Sequence, residues 1–207
     1  MLRVISEHFL YREGIMKIKN IYNRESEFLK DAIKNGKNPY HTFAFTTIKN
    51  RYPESRTVVL RGFKLNPLTI FFNADCRSSK ILELKANKYC SALFYNQERR
   101  VQLRFKCEAL LHYQNNISAK VWSNTALQSR KCYMGPYHPS EALDEWHPNI
   151  PLEYLKTDPE REHSEQGYAN FVHIELKIVE LDVLELHHDG HIRFITKNGK
   201  DLHYIAP

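Results

Sequence analysis

The sequence predicts a mainly β protein: a small antiparallel barrel with a few peripheral helices. Three observations lead there. Short runs rich in Val, Ile, Thr, Phe and Tyr recur along the chain, separated by turn residues. Few segments show helical spacing, and those are short. The length of 207 residues suits one domain with its own core. Strands that follow one another through short turns, rather than alternating with helices, favour antiparallel pairing.

The elements follow in order. Residues 1–22 show no clear period, and Met16 to Tyr22 alternates only weakly, so this stretch reads as an N-terminal arm ahead of a single domain over 23–207. Arg24 to Lys34 is helical: Phe28, Leu29, Ala32 and Ile33 form one apolar stripe, and Asn35-Gly36 ends it. Phe43 to Ile48 is a strand, and Asn50 to Glu54 a turn. Thr57–Phe63 and Leu68–Phe72 read as a hairpin joined by Lys64-Leu65-Asn66-Pro67. A helix over 79–86 leads to strand 89–95, the turn Asn96-Gln97-Glu98, and strand 100–113. Helices are expected at Asn116–Trp122 and Ala126–Tyr133. Residues 136–168 have no lasting period and form a long irregular loop of the kind that often carries function. The chain ends in strands over Phe171–Leu186, Ile192–Thr196 and Leu202–Ile205, with turns at His188-Asp189-Gly190 and Asn198-Gly199.

Composition sets bounds. With 42% hydrophobic and 26% charged residues, the chain has the make-up of an ordinary globule. No apolar run is long enough to span a membrane. The first residues lack the apolar core of a signal peptide, so the expected setting is the cytoplasm. Four cysteines, at 76, 90, 107 and 132, form no CxxC pattern, and free thiols are the default there. The net charge of +6 admits nucleic acid, but the cations are scattered among acids, so that partner ranks last. A basic balance also suits a protein that binds a phosphate dianion.

The chemistry concentrates at Arg77-Ser78-Ser79-Lys80, where an aromatic strand gives way to a helix. A helix N-terminus presents free N–H groups and a partial positive charge. With two hydroxyls and two cationic side chains beside it, this point suits a phosphate monoester. Arg56 and Arg61 lie nearby in sequence. Being five apart, they point to opposite faces of a regular strand, so a bulge is needed for both to serve one ligand. The bland alternative is a capped surface helix with solvated charges.

Taken together, Arg56-x-Val-x-Leu-Arg61, Phe71-Phe72-Asn73-Ala74-Asp75-x-Arg77-Ser78-x-Lys80 and Gln102 resemble the pyridoxamine 5′-phosphate oxidase-like family, in its oxidase-related FMN-binding branch. The resemblance implies an FMN-binding split β-barrel that dimerises, with FMN at the subunit interface. It implies that Arg56, Arg77, Ser78, Ser79 and Lys80 surround the FMN phosphate. Val58, Val59, Leu60, Asn73 and Ala74 would line the flavin or its ribityl chain, Gln102 would bond a polar edge, and Arg61 would be a cation beside the ring. The second subunit would contribute Arg130, Ser140 and Arg193.

Departures from the oxidase are equally specific. Arg61 stands where the oxidase has Lys. Trp122 to Ala126 lacks the Arg that grips the substrate's phosphate, and His188 to His191 replaces an Arg–x–His pair. These changes set aside pyridoxamine phosphate oxidation itself. They leave an oxidoreductase with an unassigned small substrate, a flavin-binding protein without turnover, or a nucleic-acid-binding barrel, in that order. No catalytic residue is assigned. His187, His188 and His191 cluster at a turn, but no metal-binding spacing accompanies them, and no metal is expected.

Overall fold

A long helix, α1 (Leu2–Ala32), opens the chain in a computed structural model that describes residues 2–207 and the side chains of 14–207. Nine strands follow: β1 (Thr42–Lys49), β2 (Tyr52–Val59), β3 (Gly62–Leu65), β4 (Leu68–Asp75), β5 (Tyr89–Asn96), β6 (Val101–Tyr113), β7 (Phe171–Glu185), β8 (Ile192–Lys197) and β9 (Lys200–Tyr204). Four further helices are short: α2 (Ser79–Ala86), α3 (Asn116–Ser123), α4 (Leu127–Arg130) and α5 (Arg161–Ser164). The strand order is β2-β1-β5-β6-β7-β4-β3, with β8 on β7 and β9 on β8. Pairing is antiparallel in β1–β2, β1–β5, β3–β4, β5–β6, β7–β8 and β8–β9. This is the mainly β architecture with peripheral helices that the turn-rich pattern implies.

The expected arm needs correction. Helix α1 runs through it from Leu2, and Ile18 and Ile21 are buried. Met1 and the side chains of 2–13 lie outside the described residues. The buried stripe runs Ile18, Ile21, Glu25, Leu29, Ala32, a spacing of three and four that makes one helical face. Glu25 interrupts its apolar character, and is held by Arg24 (2.7 Å), Arg99 (2.8 Å) and the Tyr40 hydroxyl (2.6 Å). A buried carboxylate persists only with such partners.

The expected hairpin also differs. β2 begins at Tyr52 and pairs with β1, from Thr42↔Val59 to Lys49↔Tyr52. The turn shrinks to Asn50-Arg51, both at positive φ (48° and 75°), which matches the twist of a tight hairpin. Pro53 is tolerated because β2 is an edge strand. Leu60 and Arg61 interrupt the expected strand, and of that stretch only the β3 part pairs with β4. The Asn198-Gly199 turn forms as expected, again with both residues at positive φ.

The chain forms two compact units. The first comprises residues 1–71, 89–108 and 176–207; the second comprises 72–88 and 109–175. In the first, Phe94 stacks on Phe43 (4.6 Å between centroids) and meets Tyr40 and Phe105 edge-on. In the second, Trp122 and Tyr133 pack against Phe171, each at 5.1 Å. Asn115 and Ser118 close a reciprocal capping box at the start of α3. Residues 136–168 are largely irregular, as expected. Asn149 ties this loop together by bonding both the amide and the carbonyl of Tyr137 at 3.0 Å. No helix of the described residues is long and apolar enough to cross a membrane.

Candidate functional site

Asp75, the last residue of β4, organises the start of α2 in the second unit. Its carboxylate accepts from the Arg77 backbone (2.8 Å), from Arg77 Nε (3.0 Å) and from Arg77 Nη2 (2.7 Å). Arg77 Nη1 also donates to the Gly135 carbonyl at 3.0 Å. The guanidinium is thus fixed in a two-toothed grip, and the hydrogen bonds to Asp75 push its pKa further up. The Ser78 hydroxyl donates back to the Asp75 carbonyl at 2.6 Å, so it does not cap the helix. No acid occupies the first turn of α2. Ser79 is exposed and Lys80 half-buried.

That donor set fits a phosphate ester. Helix N–H groups without a side-chain cap, the exposed Ser79, the half-buried Lys80 and an arginine oriented by Asp75 are contiguous at this turn. The neighbouring carboxylate is already neutralised by Arg77. Ala74 is buried, and Asn73 turns its Oδ1 to His173 Nδ1 at 2.8 Å. His112 lies alongside, its ring 6.0 Å from that of His173 and its Nε2 3.0 Å from Glu175.

The remaining expected residues fall as follows. In the first unit, Arg56 is half-buried on β2, bonded to the Thr47 hydroxyl and set 5.9 Å from the Phe45 ring centroid. Val58 and Val59 are half-buried and Leu60 is fully buried. Arg61 is exposed at the β2–β3 break, with its amide donating to the Phe71 carbonyl at 2.7 Å. That break supplies the irregularity anticipated between the two arginines. Gln102 is half-buried on β6, opposite Tyr95.

Arg193, on β8, lines a cleft of about 630 Å³ in the first unit, together with Arg104, Lys106, Glu180, Asp182 and Leu93. Asp182 bridges two of the cations. It accepts from Arg193 Nε (3.1 Å) and Nη2 (2.8 Å), and from Arg104 Nη2. Burial pushes the Asp182 carboxyl up, but the hydrogen bonds from Arg193 and Arg104 outweigh it and hold the group below the ordinary carboxylate range.

Arg130 and Ser140 belong to the second unit. Ser140 is exposed in the long loop at φ 70°. Arg130 is fully buried. Its guanidinium donates to the carbonyls of Thr125 (3.1 Å) and Trp122 (2.7 Å), to Ser164 Oγ (3.0 Å) and to Glu165 (2.5 Å). At the histidine turn, His187 pairs with Glu185 at 2.7 Å, and His188 faces Arg100. Among the described residues, no group of three or more His, Cys, Asp or Glu could hold a metal ion.

Sequence reasoning gave no role to Asp75, Asp182 or His173. Asp75 had a signal, an acid two residues before an arginine at a strand end. Asp182 had a weaker one, an acid set among the apolar residues of a long strand. His173 had none, since its partner Asn73 lies a hundred residues away.

The fold and the helix start come first: a mainly antiparallel β sheet with peripheral helices, and a cationic turn whose residues fit an anion. Residues 24–113 then match the family described as pyridoxamine 5′-phosphate oxidase, FMN-binding domain. A curated relative, pyridoxine/pyridoxamine 5′-phosphate oxidase 2 of Arabidopsis thaliana, is 34% identical over 94 residues, which is 42% of this chain. The chain matches about half of that relative's length, 48%. A solved structure of a pyridoxamine 5′-phosphate oxidase-related, FMN-binding protein from Nostoc punctiforme is 20% identical. It aligns over 81% of this chain and 87% of its own, with a TM-score of 0.63. PhzG from Burkholderia lata, solved with tetrahydrophenazine-1-carboxylic acid, is 18% identical over 81% of this chain and 82% of its own, with a TM-score of 0.60. At such identities these two structures speak to the fold alone.

Proposed function

We propose that this chain is an FMN-dependent oxidoreductase acting on a small substrate, working in the cytoplasm as a homodimer with the flavin at the subunit interface. The observation that carries this reading is the start of α2, where Asp75 orients Arg77 beside Ser79, Lys80 and an uncapped helix turn. Arg77, Ser78, Ser79 and Lys80 hold the FMN phosphate there. The family likeness adds Arg56, Arg61, Gln102, Asn73, Ala74 and the backbone of Val58, Val59 and Leu60 as further cofactor contacts. Arg193 and Ser140 are the second subunit's contribution. Arg130 is assigned a scaffold role instead, because its guanidinium is fully buried among Trp122, Thr125, Ser164 and Glu165. Bound FMN supplies two-electron redox chemistry, while the protein supplies position and charge.

A second reading has its own support. Trp122 is buried, and its Nε1 donates to Glu165 at 2.9 Å. A closed aromatic core thus occupies the stretch where the oxidase would grip its substrate's phosphate, which favours flavin binding without turnover. The test is a visible spectrum of the purified protein, then air-free mixing with reduced nicotinamide dinucleotides and with pyridoxamine 5′-phosphate. Bleaching of the flavin band supports the oxidoreductase. A bound flavin that stays oxidised with every donor supports the second reading. A colourless protein that ignores added FMN rejects both.

A further inference from the structure

We infer that Cys90 and Cys107 form a reversible cross-strand disulfide, a redox-modification site independent of the flavin. The two residues face one another in the β5–β6 register. Directly opposed residues send their side chains to the same face of a sheet. That face is the core side, since Ala92 and Phe94 on β5 and Leu103 and Phe105 on β6 are all buried. The Cys90 thiol already reaches the partner residue, donating to the Cys107 backbone carbonyl at 3.7 Å. A hydrogen bond with Cys90, then burial, pushes the Cys107 thiol well up.

The reach is right as well. The Ala109 amide donates to the Lys88 carbonyl at 2.9 Å, which marks 88 and 109 as a hydrogen-bonded pair. Two residues along, Cys90 and Cys107 are a pair of the same kind, with Cα atoms about 5.5 Å apart. That falls within the roughly 4.4–6.8 Å a disulfide spans. Opposed Cβ atoms start about 4.5–5.5 Å apart, against roughly 3.5–4.5 Å in the bonded state, so closure draws the strands together. A bond made under such strain is readily reduced, which makes the modification reversible. Cys76 faces the Ala169 carbonyl rather than another thiol, and Cys132 is exposed on its own short helical turn.

Cys90 is half-buried and Cys107 buried, so Cys90 meets the oxidant first. With hydrogen peroxide, the Cys90 sulfur attacks one peroxide oxygen. The O–O bond breaks, S–OH forms, and the departing hydroxide leaves as water with the thiol's proton. The Cys107 sulfur then attacks the Cys90 sulfur. The S–O bond breaks, the S–S bond forms, and a second water carries away the Cys107 proton. The two thiols give up two electrons in all, and peroxide accepts both.

The test uses the full chain, reduced, moved to thiol-free buffer and treated with graded hydrogen peroxide. Remaining thiols are alkylated, and the protein is cut with trypsin without reductant. Cleavage after Lys88, Arg99, Lys106 and Lys120 leaves the two cysteines on separate peptides, 89–99 and 107–120. The expected result is a linked pair of these peptides, two hydrogens lighter than their sum, that dithiothreitol dissolves. The inference is overturned if both cysteines are recovered alkylated at a dose that oxidises exposed Cys132. Conversion of each to its own sulfinic acid, or linkage to Cys76 or Cys132, overturns it equally.

Discussion

Replacing Arg130 with alanine tests how the second unit is held together. The guanidinium is fully buried, makes four hydrogen bonds and lies 4.5 Å from the Trp122 ring centroid. Arg130→Ala leaves the Thr125 carbonyl without its donor, at about 1–3 kcal/mol when buried, and takes one partner each from the Trp122 carbonyl, which keeps the Thr125 amide, and the Ser164 hydroxyl, which keeps the Arg161 carbonyl. Glu165 is 53% exposed at its side chain and rehydrates, so its loss adds little. Removing one partner of a buried charged network costs about 3–5 kcal/mol overall, which caps the sum. For a chain of this size each kcal/mol is worth about 2–4 °C, so Tm should fall by roughly 6–20 °C. Thermal and urea unfolding followed by circular dichroism read this directly. Arg130→Lys keeps the charge but loses the fork, and should fall in between, with FMN affinity in the folded protein nearly unchanged. A Tm drop under about 2 °C for Arg130→Ala would refute the reasoning, as would lost FMN binding with Tm intact.

Three further outcomes follow from the same geometry. Glu25→Ala should cost about 3–5 kcal/mol in urea unfolding, because it strands Arg99 and the Tyr40 hydroxyl, while Arg24 keeps Glu185; Glu25→Gln should cost less. Gly135→Ala should destabilise by about 1–3 kcal/mol, since a Cβ there would sit 2.2 Å from the Asn149 carbonyl oxygen, a backbone atom that cannot step aside. Asp182 has a folded pKa below its unfolded value near about 3.9, so its stabilisation is present above that value and lost as pH falls through the folded pKa. Urea midpoints at neutral and at acid pH should therefore fall further in the wild type than in Asp182→Asn; parallel losses in both would contradict the assignment.

Much of the fold was legible because turn residues and β-branched runs alternate. The α2, α3 and β5–β9 boundaries follow from that pattern. The missed helix has a physical reason: the stripe of α1 passes through Glu25 and Ser26, both buried, and a search for apolar residues breaks at a carboxylate that folding neutralises. The β1–β2 hairpin was hidden by Pro53, which reads as a turn unless the strand is known to be an edge. At the site, Arg77 to Lys80 could be read locally because a strand end, a helix start and the cations are contiguous. Asp182 with Arg104 and Arg193 could not, because strands brought together by folding set those three in contact. The burial of Arg130 could not be read from Ser129-Arg130-Lys131 either, because Ser164 and Glu165, more than thirty residues on, enclose it.

The central claim is that the start of α2 seats a phosphate, and comparing FMN with riboflavin tests it most directly, since riboflavin lacks that group. Fluorescence-quenching titrations of the wild type should show FMN binding about two orders of magnitude tighter or more, as two charge-assisted hydrogen bonds of about 1.5–3 kcal/mol each require. The doubly substituted Arg77→Ala, Lys80→Ala protein should lose most of that preference. Equal affinities for FMN and riboflavin in the wild type would contradict the account.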